Sequence, residues 1–336
     1  MRAGVVDRAG DRARDYHLEH AAGPVLDDLL ERTLDRAELL RLIPLSEDSP
    51  EARVYIAAAR AKAVELAGPS GHISAQIGVD AYPCEGNCLY CGYAAVNSAV
   101  NAAATKDALS RELDTDTIVS YSRILGELGV QLISLMTTED YPIDTLCALA
   151  EAVRAHIPST VRLMANTGEI DLRQAQQLKA SGFDMFYHAV RLGEGVITAL
   201  DPEARRQSIA CGKAAGLVLM GGTEPLYEGQ SAELLADGIL EAAGSRPYYS
   251  GLCALHAVEG TRMYHERPVS RARLQYLAAL ARLATGNETV LGFVGHTKWL
   301  NLGFDPRGRH NPVRYEDIQS SFNQTKQQLR ADGWLV

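Results

Sequence analysis

The sequence predicts an α/β protein built as a (β/α)8 TIM barrel with an N-terminal helical extension. Two observations lead to this fold class. Apolar runs of strand length alternate with helical segments, and seven or eight such units fit into about 250 residues. A loop with three cysteines follows the first of these runs, at the end of a strand where barrels of this kind carry their chemistry. A partial barrel with fewer strands is the alternative architecture.

The composition narrows the class of protein. The chain has 336 residues, of which 46% are hydrophobic and 22% charged, as in ordinary globular proteins. A net charge of −9 and a pI near 5.5 argue against nucleic acid as a partner, because binding to phosphates needs a basic surface. No apolar run reaches the length of about eighteen residues that a membrane span needs. With no evident signal peptide, the six cysteines fit reduced thiols or metal ligands, so we expect a cytoplasmic location.

Three segments are expected along the chain. Residues 1–50 are rich in Arg, Asp and Glu and show helical periodicity after a short disordered start, so they form the N-terminal extension. Residues 51–305 form the barrel, beginning with a helix over 51–67 that Gly68 and Pro69 terminate. Residues 306–336 form a C-terminal helical segment that packs on the barrel.

The barrel elements follow from the hydrophobic pattern. The expected strands are His72–Val79, Gln131–Met136, Val161–Ala165, Met185–His188, Leu217–Met220, Tyr249–Leu255 and Val290–Val294, with a less distinct eighth near Trp299–Phe304. The expected helices between them are 107–128, 142–156, 171–181, 203–215, 231–243 and 270–285.

The most informative motif is the loop with Cys84, Cys88 and Cys91, spaced C-x3-C-x2-C. A short loop containing glycine lets three thiolates converge on one metal cluster, and a [4Fe-4S] cluster with three cysteine ligands leaves one iron open to a small molecule. Structural zinc normally takes four ligands, and the nearest further candidate, His72, lies twelve residues upstream of Cys84. A non-catalytic zinc or iron-sulfur protein nevertheless stays as the alternative from a different functional class.

This motif, with Tyr90 just before the last cysteine, resembles the signature of the radical S-adenosylmethionine (SAM) superfamily. The resemblance is greatest to the group of biotin synthase, the HydE maturase and methylornithine synthase, and it covers roughly residues 50–295. Gly168-Glu169 and Arg205 carry it further, with Arg205 eleven residues before Gly216. The resemblance implies a [4Fe-4S] cluster on the three cysteines and SAM as the ligand of the open iron.

The resemblance also implies which residues bind SAM. The implied cofactor-binding set is Tyr90, Thr138, Glu139, Asn166, Glu169, His188, Arg191 and Arg205. In the family, the turn after the second strand binds the SAM ammonium, and an arginine at the position of Arg205 helps to hold its carboxylate. A guanidinium suits that role because its planar fork binds two oxygens at once.

Two positions depart from the family pattern. Thr137 and Thr138 replace the glycines of the usual Gly-Gly-Glu turn, so the ammonium would be bound by carbonyls, hydroxyls or Glu139. Ala189 stands where relatives have a residue that touches the SAM ribose, and His188 or Arg191 is the expected substitute. A catalytically inactive paralogue that serves as a scaffold therefore remains a third interpretation.

The ends of the later strands predict a polar substrate site. Glu224 follows two glycines after the fifth strand, and His256 follows the sixth. His296 and Lys298 are expected at the end of the seventh strand. Together these four residues form the candidate catalytic set, suited to an amino acid or another small polar substrate.

The remaining cysteines restrict the reaction type. Cys147 and Cys211 fall in predicted helices and only Cys253 lies on a strand, so a second cluster, and with it sulfur insertion, is not expected. Hydrogen abstraction by a 5′-deoxyadenosyl radical followed by rearrangement is the leading expectation, with lyase or metallocofactor-maturase chemistry as the alternative. Such chemistry requires a one-electron reductant such as flavodoxin or ferredoxin as a partner.

Overall fold

The computed structural model of the chain describes residues 28–97, 99, 100, 102, 111–291, 295–305, 309–311 and 314–336. Several predictions lie partly outside these residues. The parts concerned include residues 1–27 of the N-terminal extension, residues 107–110 of the helix expected over 107–128, residues 292–294 of the expected seventh strand, and residues 306–308, 312 and 313 of the C-terminal segment.

One sheet organises the described part of the chain. Its strands are β1 His72–Gly78, β2 Leu132–Met136, β3 Arg162–Asn166, β4 Met185–Tyr187, β5 Val218–Leu226, β6 Tyr249–Ala254, β7 Thr297–Asp305 and β8 Arg309–Asn311. The order across the sheet is β6-β5-β4-β3-β2-β1-β7-β8. The first seven strands are parallel, and β8 pairs antiparallel with β7. The carboxyl ends of the seven strands β1 to β7 therefore lie at one end of the barrel, which we call the mouth.

Helices connect and cover these strands. They are α1 Arg36–Leu42, α2 Pro50–Ala67, α3 Thr115–Leu128, α4 Ile143–Arg154, α5 Leu172–Ala180, α6 Pro202–Ala214, α7 Ala232–Gly244, α8 Arg271–Ala284 and α9 Tyr315–Ala331. Several begin at a residue whose side chain accepts a hydrogen bond from the first helical turn, as at Asp114, Asp171 and Ser270. Such caps satisfy backbone N–H groups that have no partner within the helix. No described helix combines the length and apolar character that crossing a membrane requires.

Residues alternate between the two faces of the sheet. Ile73, Ala75 and Ile77 of β1 are fully buried against the helices, in the same core as Ile133 and Leu163 of the next strands. The opposite face points into the barrel. There, a separate cluster that includes Met164, Met185, Met220, Tyr249 and Trp299 occupies the interior. This alternation, with a period of two residues, gives the barrel an outer core and a distinct inner lining.

The two terminal segments pack on the barrel and contact each other, since Arg60 of the N-terminal segment donates hydrogen bonds to the Asp332 and Gly333 carbonyls. The N-terminal helices α1 and α2 contact α7 and α8, and the Tyr276 hydroxyl of α8 donates a hydrogen bond to the Leu42 carbonyl at 2.8 Å. The C-terminal helix α9 packs against β7 and α3. Just beyond it, Trp334 is buried and stacks on His296 with the ring centres 4.2 Å apart.

The barrel class and the N-terminal helical extension are confirmed, in the partial form that was the alternative. Seven parallel strands curl into a barrel, but within the described residues the hydrogen-bonded sheet ends at β6 and β8. The two sides still approach each other, because the Trp299 indole of β7 donates a hydrogen bond to the Tyr249 hydroxyl of β6 at 3.1 Å. A side-chain contact therefore spans the gap between them.

Candidate active site

The cysteine loop leaves the carboxyl end of β1 and folds back on itself. Cys84 donates its backbone N–H to the Tyr93 carbonyl at 2.8 Å and accepts a hydrogen bond from Ala95 at 2.9 Å. Cys91 donates its backbone N–H to the Cys88 carbonyl at 2.9 Å. These backbone bonds bring residues that are seven positions apart in sequence to the same cavity.

Two of the three sulfur atoms receive backbone N–H groups. Glu139 donates its N–H to Cys84 Sγ, and Tyr93 donates to Cys91 Sγ, both at 3.4 Å. Burial raises the pKa of all three thiols, that of Cys91 to about 12. Buried thiols of this kind become thiolates when metal binding displaces their protons, and N–H donors to sulfur then help to set the redox potential of a cluster.

The three thiols line one large cavity at the barrel mouth, with a volume of about 640 Å³. This is within the usual size range of small-molecule sites, roughly 300 to 1,000 Å³. Among the described residues, no three His, Cys, Asp or Glu side chains converge as ligands of one metal ion. The three thiols instead lie around the cavity. Three thiols in this arrangement fit the ligand set of a cluster that retains one open iron.

Most of the predicted site residues line this same cavity. They are Cys84, Cys88, Cys91, Tyr90, Thr138, Glu139, Asn166, Arg191, Arg205, Glu224, His256 and Lys298. Glu169 and His188 lie behind Arg205 and contact it, and His296 lies elsewhere. Cys253 of β6 also lines the cavity, whereas Cys147 and Cys211 are in α4 and α6, as expected.

Arg205 is the centre of a buried charged network. Its Nη2 donates to Glu139 Oε2 at 3.2 Å, its Nε lies 3.0 Å from Glu169 Oε1, and its Nη1 lies 3.0 Å from His188 Nε2. The contact between Nε and Glu169 is close without the alignment of a hydrogen bond. Arg205 on α6 therefore links residues that follow β2, β3 and β4 before any ligand is bound.

Glu169 is fixed from two further directions. Ser208 of α6 donates its hydroxyl proton to Glu169 Oε2 at 2.6 Å, and the Glu169 backbone N–H donates to Glu139 Oε1 at 3.0 Å. Burial raises the pKa of Glu169, but His188, Arg205 and Ser208 outweigh it and hold that pKa below its usual value. The carboxylate is therefore charged at neutral pH.

Gly168 allows these two loops to approach closely. A Cβ atom at this position would lie 2.0 Å from the Glu139 carbonyl oxygen, which is far inside van der Waals contact. Any residue other than glycine would push the loop after β3 away from the loop after β2. The Gly168-Glu169 step singled out in the sequence thus has a steric basis.

Asp80 is a site residue that the sequence interpretation missed. It is 1% exposed, and it accepts hydrogen bonds from the Thr138 backbone N–H at 2.8 Å and the Thr138 hydroxyl at 2.5 Å. The hydroxyl proton of Thr138 is therefore already used within the protein. Asp80 could have been found from its position, since it is a carboxylate directly after an apolar strand and four residues before Cys84.

A second charged group lies on the β4–β5 side of the mouth. Arg191 Nε lies 3.2 Å from Glu224 Oε1, and the Tyr187 hydroxyl donates to the same oxygen at 2.6 Å. Ala189 is buried, so the polar side chain that reaches the cavity from the loop after β4 is Arg191. The signal for Tyr187 was available in the sequence, because it lies directly before His188 at the carboxyl end of the expected strand Met185–His188.

The expected positions of His296 and Lys298 at the mouth are wrong. The strand that pairs with β1 begins at Thr297, so both residues lie at the amino end of β7, where His72 pairs with Thr297. His296 is fully buried, and its Nε2 donates to the Ser70 carbonyl at 2.7 Å. Lys298 forms an ion pair with Asp332 at 2.7 Å, at the far end of the cavity.

His296 and Lys298 were misplaced because the seventh strand begins later in the sequence than expected. The sequence predicts a strand over the apolar run Val290–Val294, but within its described part Leu291 makes one isolated bridge to Tyr249 of β6. The expected eighth strand near Trp299–Phe304 lies within β7. The register between β1 and the next run, Thr297–Asp305, determines where the barrel strand begins and ends. Hydrophobicity alone does not distinguish the two runs.

Comparison with solved structures identifies the fold. The hydrogenase maturase HydG from Carboxydothermus hydrogenoformans matches with a TM-score of 0.68 and 15% identity, over 95% of this chain and 82% of that one. Methylornithine synthase (PylB) matches with a TM-score of 0.71 and 15% identity, over 90% of this chain and 96% of that one. The chain has the fold of the radical SAM enzymes. No family model and no curated protein matches the sequence.

In this fold the cysteine loop follows the first strand, as expected from the sequence. A second HydG structure matches with a TM-score of 0.67 and 15% identity, over 96% of this chain and 80% of that one. At this level of identity the likeness concerns the fold. The chemistry depends on the chain's own residues.

Proposed function

We propose that this protein is a radical SAM enzyme that holds a [4Fe-4S] cluster on Cys84, Cys88 and Cys91 and cleaves SAM reductively. The cluster and SAM would supply a 5′-deoxyadenosyl radical that abstracts hydrogen from a small polar, amino-acid-like substrate. The observation that carries the proposal is the shared cavity. Three thiols and the charged groups Glu139, Arg205, Arg191 and Glu224 open into one space at the barrel mouth.

The charged network supports binding of the amino-acid end of SAM. Glu139 lies beside Cys84, since its N–H donates to Cys84 Sγ, and it also receives a hydrogen bond from Arg205. An ammonium suits the Glu139 carboxylate, and a carboxylate suits the Arg205 guanidinium. Glu169, Ser208 and Gly168 hold both groups in place, so less conformational entropy is lost when SAM binds.

The barrel interior supports control of a reactive intermediate. Met164, Met220 and Tyr249 line the cavity below the charged groups and are themselves nearly buried. A primary carbon radical reacts with whatever lies near it, so a cavity bounded by fixed side chains restricts the reaction to the bound substrate.

For the reaction type we propose rearrangement of the substrate radical, in cofactor, amino-acid or natural-product biosynthesis. A lyase or a metallocofactor maturase is the alternative. The proposal includes a one-electron reductant such as flavodoxin or ferredoxin and a cytoplasmic location. It does not require a second cluster, because Cys253 is the one further cysteine among the cavity-lining residues.

Anaerobic reconstitution with iron and sulfide tests the proposal. We expect a brown protein with about four irons per chain, whose reduced cluster changes its electron paramagnetic resonance (EPR) spectrum when SAM is added. A Cys84→Ala/Cys88→Ala/Cys91→Ala variant should remain colourless. A colourless wild-type protein that retains zinc would favour the structural metal alternative. A cluster whose spectrum ignores SAM would favour the inactive scaffold.

A further inference from the structure

Arg191 has unused binding capacity in the wall of the cavity. Its Nε is paired with Glu224 at 3.2 Å, whereas its Nη1 is buried without a hydrogen-bond partner among the described residues. The Glu194 carboxylate lies 3.7 Å from Nη1, beyond hydrogen-bond distance. The third guanidinium nitrogen, Nη2, has no hydrogen-bond partner among the described residues, and Arg191 lines the cavity, so this nitrogen is suited to an anionic group supplied by a ligand.

The neighbours of Arg191 keep it charged. Burial alone would lower the pKa of Arg191, but Tyr90, Cys88, Tyr187 and Glu224 raise it well above the usual value. Tyr90 immediately precedes Cys91 and lines the same cavity, so an anion on Arg191 would lie near the cysteine loop. A carboxylate is the anion whose planar geometry matches a guanidinium fork.

Glu224 provides the complementary charge. Both of its hydrogen bonds, from the Tyr187 hydroxyl and Arg191 Nε, are accepted by Oε1. The second carboxylate oxygen, Oε2, can therefore accept from an ammonium group. A cation site directly beside an anion site matches the two charges of a free α-amino acid.

The inner faces of several strands line the cavity with uncharged side chains. Gln76, Met164, Asn166, Met220 and Tyr249 line the cavity from the inner faces of β1, β3, β5 and β6. The Lys298–Asp332 ion pair lies at the far end, and each member is already paired with the other. A ligand side chain directed into the barrel from the mouth would first meet amides, thioethers and an aromatic ring.

We propose that Arg191 and Glu224 clamp the carboxylate and the ammonium of a free α-amino acid with an uncharged side chain, which is the substrate of this enzyme. This inference rests on the proposed function. It assigns SAM to the Glu139–Arg205 side of the cavity and the substrate to the Arg191–Glu224 side.

The test is binding to the reconstituted protein with SAM present and no reductant, so that no turnover occurs. The proteinogenic L-amino acids are titrated by calorimetry, and each one that binds is compared with its carboxamide and its des-amino acid. We expect at least one amino acid with an uncharged side chain to bind, and each analogue to bind about tenfold more weakly or worse.

Two variants identify the groups responsible. Arg191→Gln should abolish the discrimination between acid and carboxamide, and Glu224→Gln should abolish that between the amine and the des-amino compound. Because each comparison is a ratio measured in one protein, partial loss of folding does not mimic the result. Arg206→Gln and Glu241→Gln are the matched controls, since this pair, 3.0 Å apart, lies on the surface. Both controls should keep wild-type discrimination.

Several outcomes would overturn the inference. If SAM binds and no α-amino acid does, the substrate inference fails while the radical SAM proposal stands. If only amino acids with charged side chains bind, the assignment of the uncharged lining is wrong. If Arg191→Gln weakens SAM binding and leaves the discrimination intact, this arginine serves the cofactor instead. If SAM itself does not bind, the inference and the proposed function fail together.

Discussion

Arg205 is a single residue that contacts Glu139, Glu169 and His188 at the same time, and it thereby joins the loops after β2, β3 and β4. A lysine at this position would keep the charge but could not replace a planar fork that reaches several partners. We expect Arg205→Lys to weaken SAM binding to the reconstituted protein about tenfold to a hundredfold, measured by calorimetry.

Arg206 is the control for this variant, because it follows directly on the same helix and pairs with Glu203 and Glu241 on the surface. Arg206→Lys should bind SAM as the wild type does. Equal affinity in Arg205→Lys would mean that the buried network does not prepare the cofactor site.

Asp80 joins the loop after β1 to the loop after β2 through a single residue, Thr138. Asp80→Leu would leave the buried Thr138 N–H and hydroxyl without an acceptor, at a cost of about 1 to 3 kcal/mol for each group. We expect urea denaturation of the apoprotein to show a free energy of unfolding that is lower by at least the cost of one of these groups.

Thr138→Val separates the two bonds, since it removes the hydroxyl and keeps the backbone N–H. We expect it to lower the free energy of unfolding by less than Asp80→Leu does. Similar values for both variants would show that the backbone bond to Asp80 contributes little.

At the level of elements, Gly168 determines how closely the loops after β2 and β3 approach. Gly168→Ala places a methyl group 2.0 Å from the Glu139 carbonyl, so one loop must move. Forcing extra volume into such a site lowers the free energy of unfolding by about 1 to 3 kcal/mol, and we expect weaker SAM binding in addition.

Gly244→Ala is the matched control, because its Cβ would meet no atom within 4 Å and the residue ends helix α7. The control should be neutral or slightly stabilising, and an equal loss in both would refute the steric account.

The junction before β7 predicts a pH dependence of stability. His296 is buried, stacks on Trp334 and has His72 and Arg60 as its titratable neighbours. Burial lowers the pKa of His296 from 6.5 to about 4, although its hydrogen bond to Ser70 opposes this. Between these two values the unfolded chain binds a proton that the folded protein does not. Stability should therefore fall as the pH falls through this window, by roughly 3 kcal/mol at most.

His296→Gln removes this contribution and tests it. The quantity to measure is the difference in free energy of unfolding between the wild type and the variant. This difference should become smaller as the pH falls from 6.5 to 4. His156→Gln, at an exposed position at the end of α4, should leave the wild-type slope unchanged. A difference between the wild type and His296→Gln that does not vary with pH would refute the assignment.

At the scale of the whole molecule, the alternation of strands and helices was predictable because each βα unit buries one strand face and one helix stripe. The periodicity located β1 to β6 in their correct order, together with the cysteine loop. It located the strand beside β1 only as a less distinct eighth strand near Trp299–Phe304 and predicted a separate strand over Val290–Val294, because both runs are apolar enough to be strands. Register with β1 decides between them, and register is a property of two segments that are distant in the sequence.

The same limit applies to the candidate site. Sequence alone could place the cysteines, Glu139, Arg205, Arg191 and Glu224 at the mouth, because each follows an expected strand or lies on an expected helix beside one. His296 and Lys298 were misplaced together with their strand. Which groups bond to one another could not be predicted from spacing, because the contacts of Arg205 join the loops after three different strands.

The central claim is that this barrel generates a radical from SAM at the three cysteines. The most direct test is to incubate the reconstituted protein anaerobically with dithionite, SAM and the amino-acid panel, and to quantify 5′-deoxyadenosine by mass-resolved chromatography. The account predicts nucleoside from the wild type and none from the Cys84→Ala/Cys88→Ala/Cys91→Ala variant. A wild-type protein that carries its cluster and releases no nucleoside under any of these conditions, or equal nucleoside from the variant, would contradict it.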